Sequence, residues 1–170
     1  SMKQAVNSKG TARNQIPAIY NRAKRAKFWR AGLRGVDLGC GYDRLSQHLH
    51  DRESVFCLGY DPEWKSADHN NHVYFQMFEN SDFVTLSSVL NVIDSQAARE
   101  ETLSLAKSFL KEGGTLLVTV YEGDKDGRSR ETRDGWQEHR RLRDYLAEVR
   151  RVFPGAKTKG GMIVATKEAE

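Results

Sequence analysis

Val36-Asp37-Leu38-Gly39-Cys40-Gly41, followed downstream by Gly59-Tyr60-Asp61-Pro62, is the stretch that decides how this chain folds. Val36–Leu38 reads as a short buried strand, and the glycines behind it mark a tight turn into a helix. Glycine there leaves no Cβ between the backbone and an approaching ligand. Val55–Tyr60 reads as a second buried strand, stopped at Asp61-Pro62 because proline cannot continue a ladder. An acid at that strand end is placed to accept hydrogen bonds from the hydroxyl pair of a ribose, the nucleoside-binding logic of a Rossmann-like turn. A pyrophosphate site would want a third glycine where Arg44 stands, and Asp37 would repel phosphate. An acid just inside the turn suits a positively charged ligand end, such as the sulfonium and amino group of S-adenosylmethionine.

Working outward, Pro17 opens a helix expected from Ile16 to Ala31, with Ile16, Ile19, Ala23 and Ala26 on one face. A helix from Asp43 to His50 follows the glycine turn. Beyond the second strand the reading is a polar loop over Lys65–Asn71, a third strand at His72–Gln76 and a fourth at Phe83–Ser87. Asp94 or Ser95 caps a helix that runs to Lys111 and stops at Gly113-Gly114. Thr115–Tyr121 is a fifth strand, Glu122–Gly135 a charged loop, Leu142–Phe153 a last helix and Gly161–Thr166 a closing strand. Strands alternating with helices predict an α/β fold: a Rossmann-like, doubly wound and mostly parallel sheet.

The chain has 170 residues, 38% of them hydrophobic and 29% charged, which suits one globular domain. No apolar run reaches the roughly 20 residues a membrane-crossing helix needs. Cys40 and Cys57 lie in segments that read as buried, without metal-ligand spacing, so a reduced, cytoplasmic setting and no metal are expected. Net charge is only +4, yet residues 1–35 hold nine Lys and Arg and no acid, so the remainder is net acidic. We therefore divide the chain into a basic N-terminal helical segment, 1–35, and a cofactor-binding domain, 36–170. Such asymmetry favours a polyanionic partner, since cations that neutralise phosphates release counterions. Arg13, Arg22, Lys24 and Arg25 are the candidate nucleic-acid contacts, and a solvated helix face is the plainer alternative.

An Asp-x-Gly-x-Gly turn after the first strand, an acid ending the second and a late Gly-Gly before the fifth together resemble the class I S-adenosylmethionine-dependent methyltransferase superfamily. The resemblance implies the compact class I fold and S-adenosylmethionine as cofactor. It implies that Asp37, Gly39 and Gly41 hold the methionine end and Asp61 the ribose, with Cys40 and Pro62 beside them. Met77, Phe78 and Asn80 would meet adenine, with plain packing the alternative for each, and Ser87 and Ser88 would lie beneath the methyl group. A narrower resemblance, carried by Lys9-Gly10-Thr11-Ala12-Arg13, the Gly59–Pro62 block, Val89–Ile93 and Thr132…Gly135-Trp136-Gln137, is to DNA phosphorothioation-associated methyltransferases. It implies a setting in DNA modification, phage or mobile elements. Tyr42-Asp43 departs from that family's pattern, and the family's large C-terminal extension is not in this sequence.

Asn91, a polar residue within Val89–Ile93, is the catalytic candidate, able to orient a nucleophile or accept its hydrogen bond; closing the loop on backbone groups is the alternative. Absences narrow the reaction. There is no Pro-Cys dipeptide for cytosine C5 methylation and no Asp/Asn-Pro-Pro-Tyr/Phe to grip an exocyclic amine. A Lys-Asp-Lys-Glu set for ribose 2′-O transfer cannot be assembled, and His72 and His139 remain as candidate bases. Two classes of function follow. One is a methyltransferase, on nucleic acid or else on a small molecule or protein. The other is a non-catalytic cofactor- or partner-binding module. The oligomeric state is not legible.

Overall fold

The structure is a computed structural model and describes residues 15–123, 129–132 and 135–170. Its centre is a six-stranded sheet in the order β2-β1-β3-β4-β8-β7. The strands are β1 (Arg34–Leu38), β2 (Phe56–Tyr60), β3 (Ser81–Ser87), β4 (Leu110–Thr119), β7 (Lys157–Lys159) and β8 (Met162–Thr166). The first four are parallel, and β8 turns antiparallel against β4. Helices cover both faces, so the expected α/β, mostly parallel architecture is the observed one.

Alternation along each strand sorts its side chains onto two cores. Val36, Leu38, Val84, Leu86, Leu116 and Val118 face α3 (Ala67–Met77), α4 (Gln96–Phe109) and α5 (Leu146–Val152). Phe83, Leu117 and Met162 face α1 (Ala18–Arg25) and α2 (Arg44–Glu53), where Ile19, Tyr20, Ala23, Leu45 and Leu49 are buried. The basic helix α1 thus owns part of the core. It stops at Arg25 rather than Ala31, because Lys27 turns the backbone left-handed (φ 59°). The chain then folds back: Trp29 Nε1 donates to Tyr20 O at 3.0 Å, and its ring lies 5.2 Å from that of Phe83.

The expected third strand at His72–Gln76 is wrong; that segment lies inside α3. Val73, Phe75 and Met77 mimic period-two alternation, but Val73 and Met77 are also one helical turn apart. Both are fully buried while Phe75 is 86% exposed, so Phe75 points away from them. The Ser66 side chain caps the helix by accepting from His69 N at 3.1 Å. α3 then reaches the backbone at the outer end of β2. His69 Nε2 lies 2.7 Å from Gly59 O, and Asn70 bonds both the N–H and the carbonyl of Asp61, at 3.1 and 3.0 Å.

Three other departures lie in or beyond β4. Gly113-Gly114 does not stop α4; it lies within β4, at an irregularity in the pairing with β3. Part of the expected charged loop is a second, two-stranded sheet, β5 (Ser129–Thr132) paired antiparallel with β6 (Gly135–Glu138). β7 escaped notice because Lys157-Thr158-Lys159 is wholly exposed and carries no apolar signal.

Gly35 sits in β1 against the face of Phe83: an added Cβ would lie 2.5 Å from three ring carbons. Gly35→Ala should therefore lower unfolding free energy in urea by about 1–3 kcal/mol, the usual cost of overpacking. Phe83→Leu in that background should recover part of the loss, giving a non-additive cycle.

Candidate functional site

The glycine turn after β1 forms as read. Gly39 (φ 82°) and Gly41 (φ 52°) adopt left-handed backbone, and the N–H groups of Gly39 and Cys40 both reach Tyr60 O, at 2.7 and 3.3 Å. Asp37 projects from β1 beneath this turn and is 2% exposed. Its Oδ1 accepts the Thr85 hydroxyl at 2.8 Å, a partner on β3 that no local motif announces. Burial pushes the Asp37 carboxyl up to about 7; Thr85 pulls against this, and Asp43 and Asp61 push further. The Cys40 and Cys57 thiols are raised too, chiefly by burial and then by Asp37, so neither is a thiolate nucleophile near neutral pH.

Asp61 arrives at the turn with its carboxylate enclosed. Oδ2 accepts Gly41 N at 2.9 Å, and Oδ1 accepts the N–H groups of Glu63 and Trp64 at 2.9 and 3.3 Å; the residue is fully buried. Burial raises its pKa and the three N–H donors lower it. In this state the side chain ties the loop after β2 down onto the turn after β1. Two further contacts missed in the sequence close the same seam. Tyr42 and Trp64 meet edge to face with centroids 4.5 Å apart, and Lys65 pairs with Asp43 at 3.0 Å. Pro62 is exposed beside them.

At the same end of the sheet, Ser87 ends β3 and Ser88 takes a left-handed conformation (φ 55°), its N–H bonded to Thr119 O of β4 at 3.0 Å. A 3-10 turn, Leu90–Val92, follows. Asn91 in that turn is 1% exposed, and its Oδ1 has no hydrogen-bond partner. Strand β6 packs directly against the turn. Glu138, the last residue of β6, and His139 after it are both buried, as is Tyr145, with the Arg140 guanidinium 4.2 Å over its ring. The His139 ring meets that of Tyr121 edge to face at 5.7 Å, with Tyr121 half exposed. His72 is exposed on α3, away from this cluster.

Not every expected residue converges. Met77 is buried in the main core with Arg34 Nη2 3.6 Å from its sulfur, because it ends a helix instead of following a strand. Phe78 is partly exposed beside Tyr74, and Asn80 bonds Gln76 O. Arg13 lies outside the described residues. Arg22 donates to Gly161 O at 2.9 Å, bracing α1 on the β7–β8 hairpin. Lys24 pairs with Glu53 at 2.8 Å and lies over the Tyr20 ring. Arg25 is exposed.

The residues at the turn fit S-adenosylmethionine: Asp37, Asp43 and Asp61 crowd a glycine cradle, and a positive ligand end would relieve the raised Asp37. Among the described residues no cluster could hold a metal, and no helix is long and apolar enough to cross a membrane.

Comparison with known proteins agrees. Among solved structures, the Burkholderia thailandensis 1,6-didemethyltoxoflavin-N1-methyltransferase is similar with a TM-score of 0.62 at 14% identity, covering 89% of this chain and 77% of that one. A TehB-like SAM-dependent methyltransferase from Corynebacterium glutamicum gives 0.57 at 17%, covering 95% and 93%. CalS10, an amino pentose methyltransferase from Micromonospora echinaspora, gives 0.57 at 16%, covering 94% of each chain. A [4+2]-cyclase, SpnF, shares the fold at 0.57 and 14%, covering 79% and 54%, so these likenesses speak to architecture alone. No curated protein matches the chain by sequence. The description "Methyltransferase domain" matches residues 12–156, most of the chain, and with the glycine turn and buried acid in place the protein belongs to the S-adenosylmethionine-dependent methyltransferases of that family.

Proposed function

We propose that this methyltransferase acts on nucleic acid, with the acceptor group entering between the Asn91 turn and the exit of β4 while the cations of residues 1–35 hold backbone phosphate. The observation that carries the reading is the charge arrangement: exposed Arg25, Lys27 and Arg30 line one segment that has no acid, beside a net acidic body. The narrower resemblance to DNA phosphorothioation-associated methyltransferases points the same way. Within this reading Asp37, Gly39, Cys40 and Gly41 cradle the methionine end, and Asp61 reaches the ribose once the Tyr42–Trp64 seam opens. Ser87 and Ser88 flank the methyl group, and Pro62 borders the nucleoside. Residues 1–35 act as a phosphate-binding segment on the domain formed by 36–170. The bound cofactor supplies an electrophilic methyl group carried on sulfonium. Asp37 balances its positive charge, and Asn91 Oδ1 accepts an N–H or O–H of the acceptor and so aims the neighbouring lone pair. A small-molecule acceptor is the second reading, favoured by the buried, enclosed setting of Asn91 and Tyr145; the neighbours above that act on 1,6-didemethyltoxoflavin and an amino pentose are small-molecule enzymes of similar fold.

Phosphate contacts leave a salt signature. Three to five of them give a slope of about −3 to −5 in log affinity against log salt for duplex DNA, and Arg25→Ala with Lys27→Ala should flatten it by about 2. A salt-independent affinity, or no binding at about 50 mM salt, would remove the nucleic-acid reading and leave the small-molecule one.

Asp37 makes cofactor binding pH-dependent. Its folded pKa, about 7, lies above the ordinary 3.8, so ionising it in the empty fold costs stability as pH rises through that window. A cation beside it reverses the preference. S-adenosylmethionine affinity should therefore climb between about pH 5 and 7 and level off above, with proton release seen by calorimetry in two buffers of different ionisation heat. Asp37→Asn should abolish both the slope and the proton release.

Asn91→Leu tests whether the orphaned oxygen serves the reaction. Replacing an unsatisfied buried polar atom by an apolar group of similar shape is neutral or stabilising. Tm should hold or rise, S-adenosylhomocysteine affinity should stay within about twofold, and methyl transfer should fall by at least about tenfold, roughly 1.4 kcal/mol of transition-state stabilisation. A drop in Tm of several degrees would instead assign Asn91 to the loop's architecture.

A further inference from the structure

We propose that this protein forms a two-fold dimer through the open edge of its sheet, β2 pairing antiparallel with β2 of a second copy about Cys57. The sheet ends on β2 at one side and on β7 at the other, and the two edges are built differently. β7 is Lys157-Thr158-Lys159, wholly exposed, and lysines on an edge strand keep other chains from pairing with it. β2 is Phe56-Cys57-Leu58-Gly59-Tyr60, without a formal charge, and Phe56 is 37% exposed. An apolar edge without such a guard is a template for another strand.

The hydrogen-bonding groups left on that edge identify the strand. Alternate residues of a strand turn their N–H and C=O to opposite neighbours. Phe56 N–H donates to Leu33 O and Tyr60 O accepts from Gly39 N–H, both on the β1 side, so Cys57 and Gly59 face outward. His69 Nε2 takes Gly59 O, whereas among the described residues nothing bonds the N–H or C=O of Cys57. Val55, the outward residue before them, donates its N–H to Leu49 O at 3.2 Å. In an antiparallel pair centred on Cys57, the two Cys57 residues exchange both backbone bonds, and Val55 of each copy faces Gly59 of the other. One bond between those two would need Val55 N–H and Gly59 O, and both are spent. The other uses Gly59 N–H and Val55 O, and both are open. The edge is complementary to itself, and a two-fold axis closes the pair so that it does not grow.

Charge permits this pairing. α2 and α3 pack on opposite faces of β2, so each meets its own copy across the axis. α3 carries one formal charge, Asp68, and leaves Tyr74 and Phe75 exposed, with Phe78 just beyond its end. Aromatic residues with few charges are the composition of a protein interface, and without cations they do not suit a nucleic acid. α2 presents Asp51 and Arg52, of opposite sign. Arg34 lies over the Phe56 ring, 4.7 Å from its centroid, with Nη2 3.6 Å from Met77 Sδ, so its charge is held against its own chain. The surface around α1, with Arg25, Lys27 and Arg30 exposed, would instead repel its own copy.

The test is sedimentation velocity of the full chain from about 1 to 200 μM, where the parent should pass from monomer to dimer and stop there. Phe56→Lys gives β2 the guard that β7 has, and should raise the dimer dissociation constant at least about tenfold. Phe56 is at the far end of β2 from Asp61, so the variant's S-adenosylhomocysteine affinity should stay within about twofold of the parent's. Hydrogen exchange on the parent reads the edge without any substitution: the amides of Cys57 and Gly59 should exchange at least about tenfold more slowly at the top of that concentration range than at the bottom. A parent that stays monomeric throughout, or that grows beyond a dimer, would overturn the proposal. So would a Phe56→Lys variant that binds S-adenosylhomocysteine yet dimerises like the parent. Protection of the two amides that does not change with concentration would mean that the edge is covered within one chain, and would overturn it as well.

Discussion

Burying a carboxylate at the centre of a parallel sheet is the constraint on which the rest of this structure depends. Asp37 stands on β1, the strand hydrogen-bonded to both β2 and β3, and water cannot reach it. A bare charge there would cost several kcal/mol, so the fold must either protonate it or supply partners. It does some of each: burial raises the carboxyl to about 7, with Asp43 and Asp61 adding a smaller push, while Thr85 donates across from β3. The result is a group poised to ionise when a cation arrives. Asp61 and Asp43 also fasten the loops, to three backbone N–H groups and to Lys65, whereas Asp37 gains little from the fold beyond the Thr85 hydroxyl and is the acid a cationic ligand would complete.

The same logic explains the loops. Asp61 is satisfied by three backbone N–H groups, one from the turn after β1 and two from its own loop, so the ends of β1 and β2 are locked in register. α3 then supplies His69 and Asn70 to the outer backbone of β2. An edge strand left bare would invite pairing with another chain. Here His69 occupies one carbonyl of that edge, Gly59 O, and Asn70 the backbone of Asp61 just past its end.

What could be read in the sequence and what could not divides along locality. The glycine turn, Asp37, Asp61 and the alternation of strands with helices are local signals, and they predicted the sheet, the turn and the cofactor. α3 was misread because Val73, Phe75 and Met77 satisfy a strand period and a helix period alike; the Ser66 cap with the buried Asn70 was the available tie-breaker. Met77 and Phe78 inherited that error. The β5–β6 hairpin was hidden by its composition, since charged residues on a small sheet look like a loop. Thr85 and the Arg99–Glu148 pair, 49 residues apart, carry no sequence pattern at all, because their partners meet only once the sheet is assembled.

Charge is finally what separates the two halves of the site. The turn after β1 is acidic and closed by Tyr42, Trp64 and the Asp43–Lys65 pair, which suits a small cation held out of water. The region past β3 and β4 holds buried Asn91, Tyr145 and the Glu138–Arg140 ion pair. Outside both, α1 presents arginines and lysines at the surface, with Arg22 fastened to the β7–β8 hairpin. The acidic cradle suits a cationic cofactor, and the basic helix lies on the surface with its apolar face, Ile19 and Ala23, spent on the core. A cation in place of Asp37 or Asp43 would repel that ligand at the turn.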